Sequence, residues 1–427
     1  MSLTHPDKDI AVPAHTMVPP KSLWKNTDFL KFWTGETTSL FGSQITLLAL
    51  PLAAVLTLNA NPEQLGLLRF LETAPYLLFP LIFGAWIERR RKRPLMILAN
   101  AVRALLIVLV PLLALSHALQ LPVLYLITFC VGIGTVLFDL CWLSFIPLIV
   151  SKEHLMEANS KVNSSSAAAE VAGPGLAGVL VQLLTAPLAL LADSLSYIVS
   201  IVLLLLIRHQ EVPPQQTEGT HLFRQIGEGL QFVGKNPYIR TLAIQAGAWN
   251  FFYAIVDIAF LLYMVRELNF APGLIGLIYA LAAIGGLLGS AIAGPLARRF
   301  PLGPTICATF TLGSAPFILL PLITGSKTLM VILFTIVFFL VRTALGIFAV
   351  QSTSLRQART PPALMARMNA TLRLLSYGGA TLGPLVAGFL STWIGLRTSL
   401  WIAGIGFILA LFTLFASPVR HLQTFEP

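Results

Sequence analysis

The chain has 427 residues, of which 56% are hydrophobic and 11% charged, with a formal net charge of +10. A soluble protein carries roughly 25% charged residues, so this chain cannot coat a water-exposed surface of its size, and soluble enzymes and transcription factors are excluded. The positive charge sits in short loops between apolar runs rather than in one patch, so it sets membrane topology and does not bind nucleic acid.

Residues 1–28 are polar and proline-bearing, lack the apolar core of a signal peptide, and read as a disordered cytoplasmic tail. Twelve apolar stretches long enough to cross a bilayer follow. Six of them, at about 29–58, 65–87, 95–115, 121–148, 163–185 and 187–207, form an N-terminal bundle over residues 29–208. The other six, at about 238–264, 272–297, 303–324, 328–355, 368–394 and 396–416, form a C-terminal bundle over 238–416. The linker, 209–237, is the only long connection, and a short cytoplasmic tail covers 417–427. Within the linker, Leu222, Ile226, Leu230 and Val233 recur at helical spacing, which predicts an interfacial helix. Gly227 and Gly229 keep an irregular linker open as the alternative. The predicted fold class is therefore an all-α membrane protein of twelve transmembrane helices.

With both termini in the cytoplasm, 21 Lys and Arg residues lie on the cytoplasmic side and 4 on the other, with Arg103, Arg342 and Arg373 inside spans. Cys130, Cys141 and Cys307 lie in apolar runs and imply no disulfide framework, and no His, Cys or acid spacing predicts a metal site. No nucleotide loop or catalytic triad is visible, so neither an enzyme nor a cofactor is expected.

The halves repeat at an offset of 210 residues. Gly66 falls on Gly276, Gly84 on Gly294, Glu88-Arg89 on Arg298-Arg299, Phe138 on Phe348 and Asn159 on Asn369. Gly173-Pro174 falls on Gly383-Pro384 and Ala177-Gly178 on Ala387-Gly388. Two six-span repeats keep the same orientation and are related by an axis along the membrane normal, with the binding site expected between them. Gly285, Gly289 and Ala293 in the eighth span read as plain helix packing. The paired Gly-Pro motifs (Gly173, Pro174 and Gly178; Gly383 and Pro384) read as a pivot or seal, since proline removes a helix hydrogen bond at the same place in both halves.

The loop Gly84-Ala-Trp-Ile-Glu88-Arg89-Arg90-Arg91-Lys92-Arg93 resembles the cytoplasmic motif of the major facilitator superfamily, with Arg91 standing where a glycine is usual. The fifth span is similar to the Gly-Pro motif of that superfamily's antiporters, with Ala169 in place of its first glycine. Phe32-Trp33-Thr-Gly35, Ser39-Leu-Phe-Gly42, Phe138-Asp139 and Asp193-Ser-Leu-Ser196 look like the branch that holds bacterial macrolide efflux proteins and enterobactin exporters. The resemblance covers about residues 24–416 and implies proton-driven export of small organic molecules across the bacterial inner membrane. By its own chemistry, the stretch Arg89–Arg93 anchors to anionic headgroups, and Glu88 either pairs with it or caps the third span; a conformational latch and mere anchoring both fit.

A charge at the bilayer centre costs about 2.5–3.5 kcal/mol, so each embedded one is a functional candidate. These are Glu36, Glu72, Arg103, Asp139, Glu170, Asp193, Asp257, Arg342 and Arg373. The resemblance implies that spans 1, 4, 7 and 10 line the central cavity, and each carries one candidate for proton coupling or substrate contact: Glu36, Asp139, Asp257 and Arg342. Glu36 shares a helical face with Ser39, Ser43 and Thr46; Trp249, Tyr253 and Asp257 form an aromatic ladder ending in an acid. Such a cavity suits a bulky, partly aromatic or cationic solute. Glu36 is the first choice for proton coupling and Asp257 the second, while Asp139 also fits a structural ion pair with Arg89 or Arg103. Asp193, Glu170 and Arg373 read as packing or gating partners, and Glu72 with Arg69 as a local pair near the outer surface. The expected function is a monomeric proton-coupled exporter of drugs, siderophores or secondary metabolites; an importer on the same fold and a non-transporting receptor are the alternatives.

Overall fold

The computed structural model describes residues 23–88, 90–208, 211, 222–361 and 364–423, with the side chains of Leu81, Ala85, Glu88, Lys152, residues 222–226 and Ala366 excepted. In the N-terminal half, α1 spans Thr27–Leu52 and a π-helical turn extends it through Thr57; α5 is Lys92–Leu115, α6 Leu121–Ile149, α7 Leu155–Leu184 and α8 Ala186–Leu205. The second span is broken into α2 (Pro62–Thr73), α3 (Pro75–Leu78) and α4 (Pro80–Glu88). Pro75 and Pro80 supply no N–H to the turn before them, so the helix kinks at each. The linker contributes α9, Leu222–Lys235. The other half holds α10 (Pro237–Leu262, with a π-helical turn to Glu267), α11 (Pro272–Arg299), α12 (Leu302–Leu312, continued by a 3-10 segment to Leu322), α13 (Lys327–Ala358), α14 (Met365–Ile394) and α15 (Leu396–Phe415). Among the described residues eleven spans are long and apolar enough to cross a membrane; the broken second span completes the twelve.

The 210-residue repeat extends to backbone detail. The π-helical turns at Ala53–Thr57 and Tyr263–Glu267 correspond, and so do the left-handed residues that follow, Asn59 and Asn269, both at φ 51°. Each turn is closed the same way: Ala60 N–H donates to Ala54 O and Phe270 N–H to Met264 O, both at 2.9 Å.

With lipid outside, apolar burial does not drive the helices together; packing and interhelical hydrogen bonds do. Small residues therefore mark the contacts. Inside the halves, Gly173 packs on Gln44 of α1, and its repeat mate Gly383 on Ala254 of α10. Between them, Gly276 of α11 lies against Pro174 O and Gly178 of α7, while its mate Gly66 of α2 lies against Pro384 O and Gly388 of α14. The Gly-Pro motifs thus form the joint between the halves, at the end of the molecule opposite the termini. One core cluster runs through both halves there, whereas toward the termini the buried core separates into clusters belonging to one half or the other. The molecule is sealed at one end and parted at the other.

The helix α9 packs Val233 against Ile239, Ala243, Met368 and Leu372 of α10 and α14, and Glu228 forms an ion pair with Arg367. Leu230, on the same predicted stripe, is exposed; Leu222 and Ile226 lie outside the described side chains, as does the N-terminal tail before Leu23.

A side chain at Gly66 or Gly276 collides with backbone of the opposite half, a strain of about 1–3 kcal/mol that only parting the halves relieves. Gly276→Val is therefore expected to leave each half folded and to raise maleimide labelling of a cysteine placed at the fully buried Ala60 by fivefold or more. Unchanged labelling would show that this contact does not hold the seal.

Candidate functional site

A cavity of about 770 Å³ lies between the halves, open toward the termini and roofed by the seal. Its volume lies within the range of small-molecule sites. Most of its wall comes from the C-terminal half: Leu242, Trp249, Asn250, Tyr253 and Asp257 of α10, Tyr279 of α11, Phe310 of α12, and Arg342, Phe348, Ser352 and Arg356 of α13. The other half contributes Gln44, Leu47 and Leu48 of α1, Arg69 of α2, and Glu170 and Pro174 of α7. Spans 1, 7 and 10 line the cavity as expected; no residue of α6, the fourth span, is among the lining.

Four-residue spacing on α10 brings Trp249 and Tyr253 to one face, where their rings stack at 4.7 Å and 11°. Arg342 approaches the Tyr253 hydroxyl at 3.4 Å. At the roof, Arg69 pairs with Glu72 at 2.9 Å and with Asp257, across the joint, at 3.3 Å. Its guanidinium also donates to Leu47 O. The expected local pair of Arg69 with Glu72 forms, and the same guanidinium also lines the cavity and ties the two halves together. Arg266 adds a second tie, donating to Ala60 O at 2.5 Å, and Gln182 accepts from Gly273 N–H at 3.2 Å. These three ties escaped sequence reading because the partners are more than 90 residues apart.

The serine face of α1 does not reach the cavity. Ser39 is buried in line with Gly35 and Gly42, which meet Ser200, Asp193 and Ser196 of α8. Ser43 Oγ lies 3.4 Å from Tyr197 Oη, and Thr46 donates to Asp193 at 2.5 Å. Spacing alone identified this face as polar, and its partner is the sixth span. Glu36 is likewise absent from the cavity lining, and its Oε2 is buried without a hydrogen-bond partner among the described residues.

Asp139 accepts a hydrogen bond from Tyr76 at 3.1 Å and forms no ion pair with Arg103 in the described set. That guanidinium is held between the rings of Phe138 and Tyr197, at 4.6 and 4.4 Å, and donates to Asn100. The expected pairing fails because two aromatic faces and an amide already hold the cation. Arg89, the other expected partner, lies outside the described residues. Tyr76, on the short α3 between the two proline breaks, also stacks on Tyr377 of α14 at 5.0 Å, so one side chain links Asp139 to the opposite half.

In the loop motif, Gly84 has open space among the described residues where a side chain would go, so none of them requires glycine there by close approach. Arg93 donates to Leu204 O and Leu205 O, each at 2.7 Å, and so caps the C-terminus of α8 within its own half. The carboxylate at the N-terminus of α5 is Glu211, which accepts from Lys92 and Arg93 N–H at 2.5 and 2.6 Å. Sequence reading placed Glu88 as a candidate for that role; its side chain is outside the description.

Removing Arg69 leaves two carboxylates facing each other across the joint. Arg69→Ala is expected to destabilise the purified protein by about 3–5 kcal/mol. Asp257→Asn, which leaves the Arg69–Glu72 pair whole, is expected to cost less. The double variant should be less destabilised than the sum. Additive shifts in thermal midpoint would show that the two side chains are not coupled.

Polar groups on both halves thus face a shared cavity sealed at one end, in a chain of two repeated six-span bundles. Known proteins share this organisation. The chain is 25% identical to an uncharacterized MFS-type transporter, YfiS, of Bacillus subtilis (strain 168), over 95% of this chain and 98% of that one. It is 25% identical to the multidrug efflux pump Tap of Mycolicibacterium fortuitum, over 84% and 88%. With macrolide efflux protein A of Streptococcus pyogenes it shares 21% over 64% and 67%. Among solved structures, a bacterial homologue of the iron transporter ferroportin in its inward-facing state superposes with a TM-score of 0.75 at 17% identity, covering 92% of this chain and 99% of that one. An outward-facing structure under the same name gives 0.57 at 18% identity, covering 91% and 98%. The model of the Major Facilitator Superfamily matches residues 32–378 and 251–426, and the chain belongs to that superfamily: it is a multi-pass membrane transporter of small molecules.

Proposed function

We propose that the protein exports amphipathic small molecules (drugs, siderophores or secondary metabolites) in exchange for protons, as a monomer in the bacterial inner membrane with both termini in the cytoplasm. The observation that carries this reading is the cavity: sealed opposite the termini, open beside them, and walled by aromatic rings with a few charges. Under the lysine and arginine asymmetry its mouth faces the cytoplasm, where an exporter loads. The larger overlap with the inward-facing of the two ferroportin-homologue structures supports that orientation. Relatives named as efflux pumps support the direction of transport.

Trp249 and Tyr253 offer ring faces to an apolar or cationic body, and Asp257, which shares Arg69 with Glu72, offers a carboxylate to a basic group. Arg342 meets an acceptor on the solute. Glu36 remains the first proton site: a buried carboxylate oxygen without a partner is relieved by protonation. Asp139, through Tyr76 and Tyr377, passes its charge state to the opposite half. The Gly173-Pro174 and Gly383-Pro384 joints part at one end as the halves close at the other, and the loop from Gly84 to Arg93 anchors the moving N-terminal bundle to headgroups.

The test is ethidium or macrolide accumulation in cells expressing wild type, Glu36→Gln or Asp257→Asn, with and without a protonophore. Wild type is expected to lower accumulation. The protonophore and Glu36→Gln should each restore it, and Asp257→Asn should do so for cationic solutes above neutral ones. Higher accumulation in wild-type cells, or no movement in liposomes under a pH gradient, overturns the export reading. A Tyr76→Phe variant checks the link separately: it keeps the ring stack and loses the hydrogen bond, and it is expected to move protons without solute. Coupled transport at the wild-type ratio would remove Tyr76 from the mechanism.

A further inference from the structure

A second cleft, of about 700 Å³, lies outside the transport cavity on the flank formed by α12 and α15. Ala308, Leu312 and Phe415 form its wall, and Arg420 and His421 its rim on the side of the termini. Leu312 is 58% and Phe415 42% exposed, as suits a groove facing hydrocarbon. The basic rim is held in place by buried backbone. A 3-10 turn, Pro418–His421, carries it, and Ser417 caps that turn at Val419 N–H. Val419 is fully buried over Gly303, where any side chain would collide with Val419 O. Gly303 N–H donates to Leu422 O at 2.8 Å. Arg420 and His421 are therefore exposed side chains on a fixed support, joined by an Arg420 Nε–H to His421 Nε2 hydrogen bond at 2.8 Å.

Among the described residues no carboxylate pairs with Arg420 or His421. The sequence holds no Asp or Glu from Leu268 to Phe425. Of the elements packed on the turn, α12 and α15 have no acid, and α10 has only Asp257, which is paired to Arg69 at the roof of the transport cavity. Arg298 and Arg299, at the end of α11 just before α12, add positive charge at the same end of the molecule. A fixed cationic rim above an apolar groove, at the depth where a helix leaves the membrane, matches a phosphate headgroup with an acyl chain below it.

We propose that this cleft binds one anionic phospholipid from the leaflet on the side of the termini, its phosphate on Arg420 and His421 and an acyl chain along Leu312 and Phe415. The bound lipid clamps the C-terminal turn to α12 and so fixes the flank of the C-terminal bundle. This site does not depend on the substrate or the direction of transport.

Native mass spectrometry of the full chain in detergent tests it, with phosphatidylglycerol, phosphatidylcholine or inorganic phosphate added. Phosphatidylglycerol is expected to stay bound at least fivefold more than phosphatidylcholine, and phosphate alone not to compete. Arg420→Gln should lower its retention about fivefold, and adding His421→Gln should lower it further. Lys235→Gln, on the exposed side of α9, should change nothing. Leu312→Trp fills the groove without altering charge and should also displace the lipid, so a loss seen only in a misfolded arginine variant would not pass as support. Equal retention of the two lipids, competition by free phosphate, or retention that survives both Arg420→Gln and Leu312→Trp overturns the proposal.

Discussion

Everything in this molecule depends on two places where backbone meets backbone between the halves. At Gly66 against Pro384 and Gly388, and at Gly276 against Pro174 and Gly178, the halves come closer than side chains permit. Lipid gives apolar side chains no reason to prefer each other, so the joint rests on this close packing and on a few polar ties. The joint lies at one end because it is there that glycines of one half meet backbone of the other. Toward the termini the cores separate, and the space left between them is the cavity.

The repeat shows how one backbone supports two interiors. At an offset of 210, the polar residues Glu36, Asn100, Arg103, Asp139, Asp193 and Ser200 fall on Ala246, Phe310, Gly313, Ala349, Ala403 and Ala410. Ser39 and Ser43 fall on Trp249 and Tyr253, and Tyr197 on Phe407. Even the packing is exchanged: Gly42 lies under Ser196 in one half, and Phe252 lies over Gly406 in the other. The N-terminal bundle thus holds a buried polar network, and the C-terminal bundle holds aromatic surface. Both keep the same π-helical turns and left-handed residues, which belong to the backbone and not to either interior. The cavity is lopsided for the same reason: rings and bulky side chains frame space on one side, while the network on the other is packed shut.

The features legible in the sequence were those carried by periodicity within one element or by the repeat. Apolar length gave the spans, four-residue spacing gave the stack of Trp249 on Tyr253, and the 210-residue offset picked out the residues of the joint. The pairing of elements was not legible. The helical face of Ser39, Ser43 and Thr46 is as polar as the sequence indicates, but periodicity cannot say whether such a face meets water or another helix. It meets Asp193 and Tyr197. A buried carboxylate is usually paired, which points Asp139 to Arg89 or Arg103; two aromatic faces and Asn100 hold Arg103 instead. Arg69 was placed near the outer surface beside Glu72, and only the folded chain shows that Asp257 completes the group.

That group gives the joint a charge imbalance. One guanidinium serves two carboxylates through different nitrogens, Glu72 inside α2 and Asp257 across the halves. A network satisfied on every side would hold the halves permanently, and a single exposed ion pair would contribute little. Sharing the cation places the tie between these limits, and Asp257, 28% exposed at the head of the aromatic ladder, is the partner that faces the cavity. Under the proposed export of cationic solutes, a cation arriving along Trp249 and Tyr253 would meet this carboxylate and take the place of Arg69, which keeps Glu72 as its counter-ion. The tie between the halves can then open without leaving a charge alone in the membrane. Arg266, bound to the backbone carbonyl of Ala60 and not to a carboxylate, is indifferent to that exchange. On that proposal the seal combines one contact that a solute would release with others, such as Arg266 on Ala60 O, that offer a solute no carboxylate to exchange.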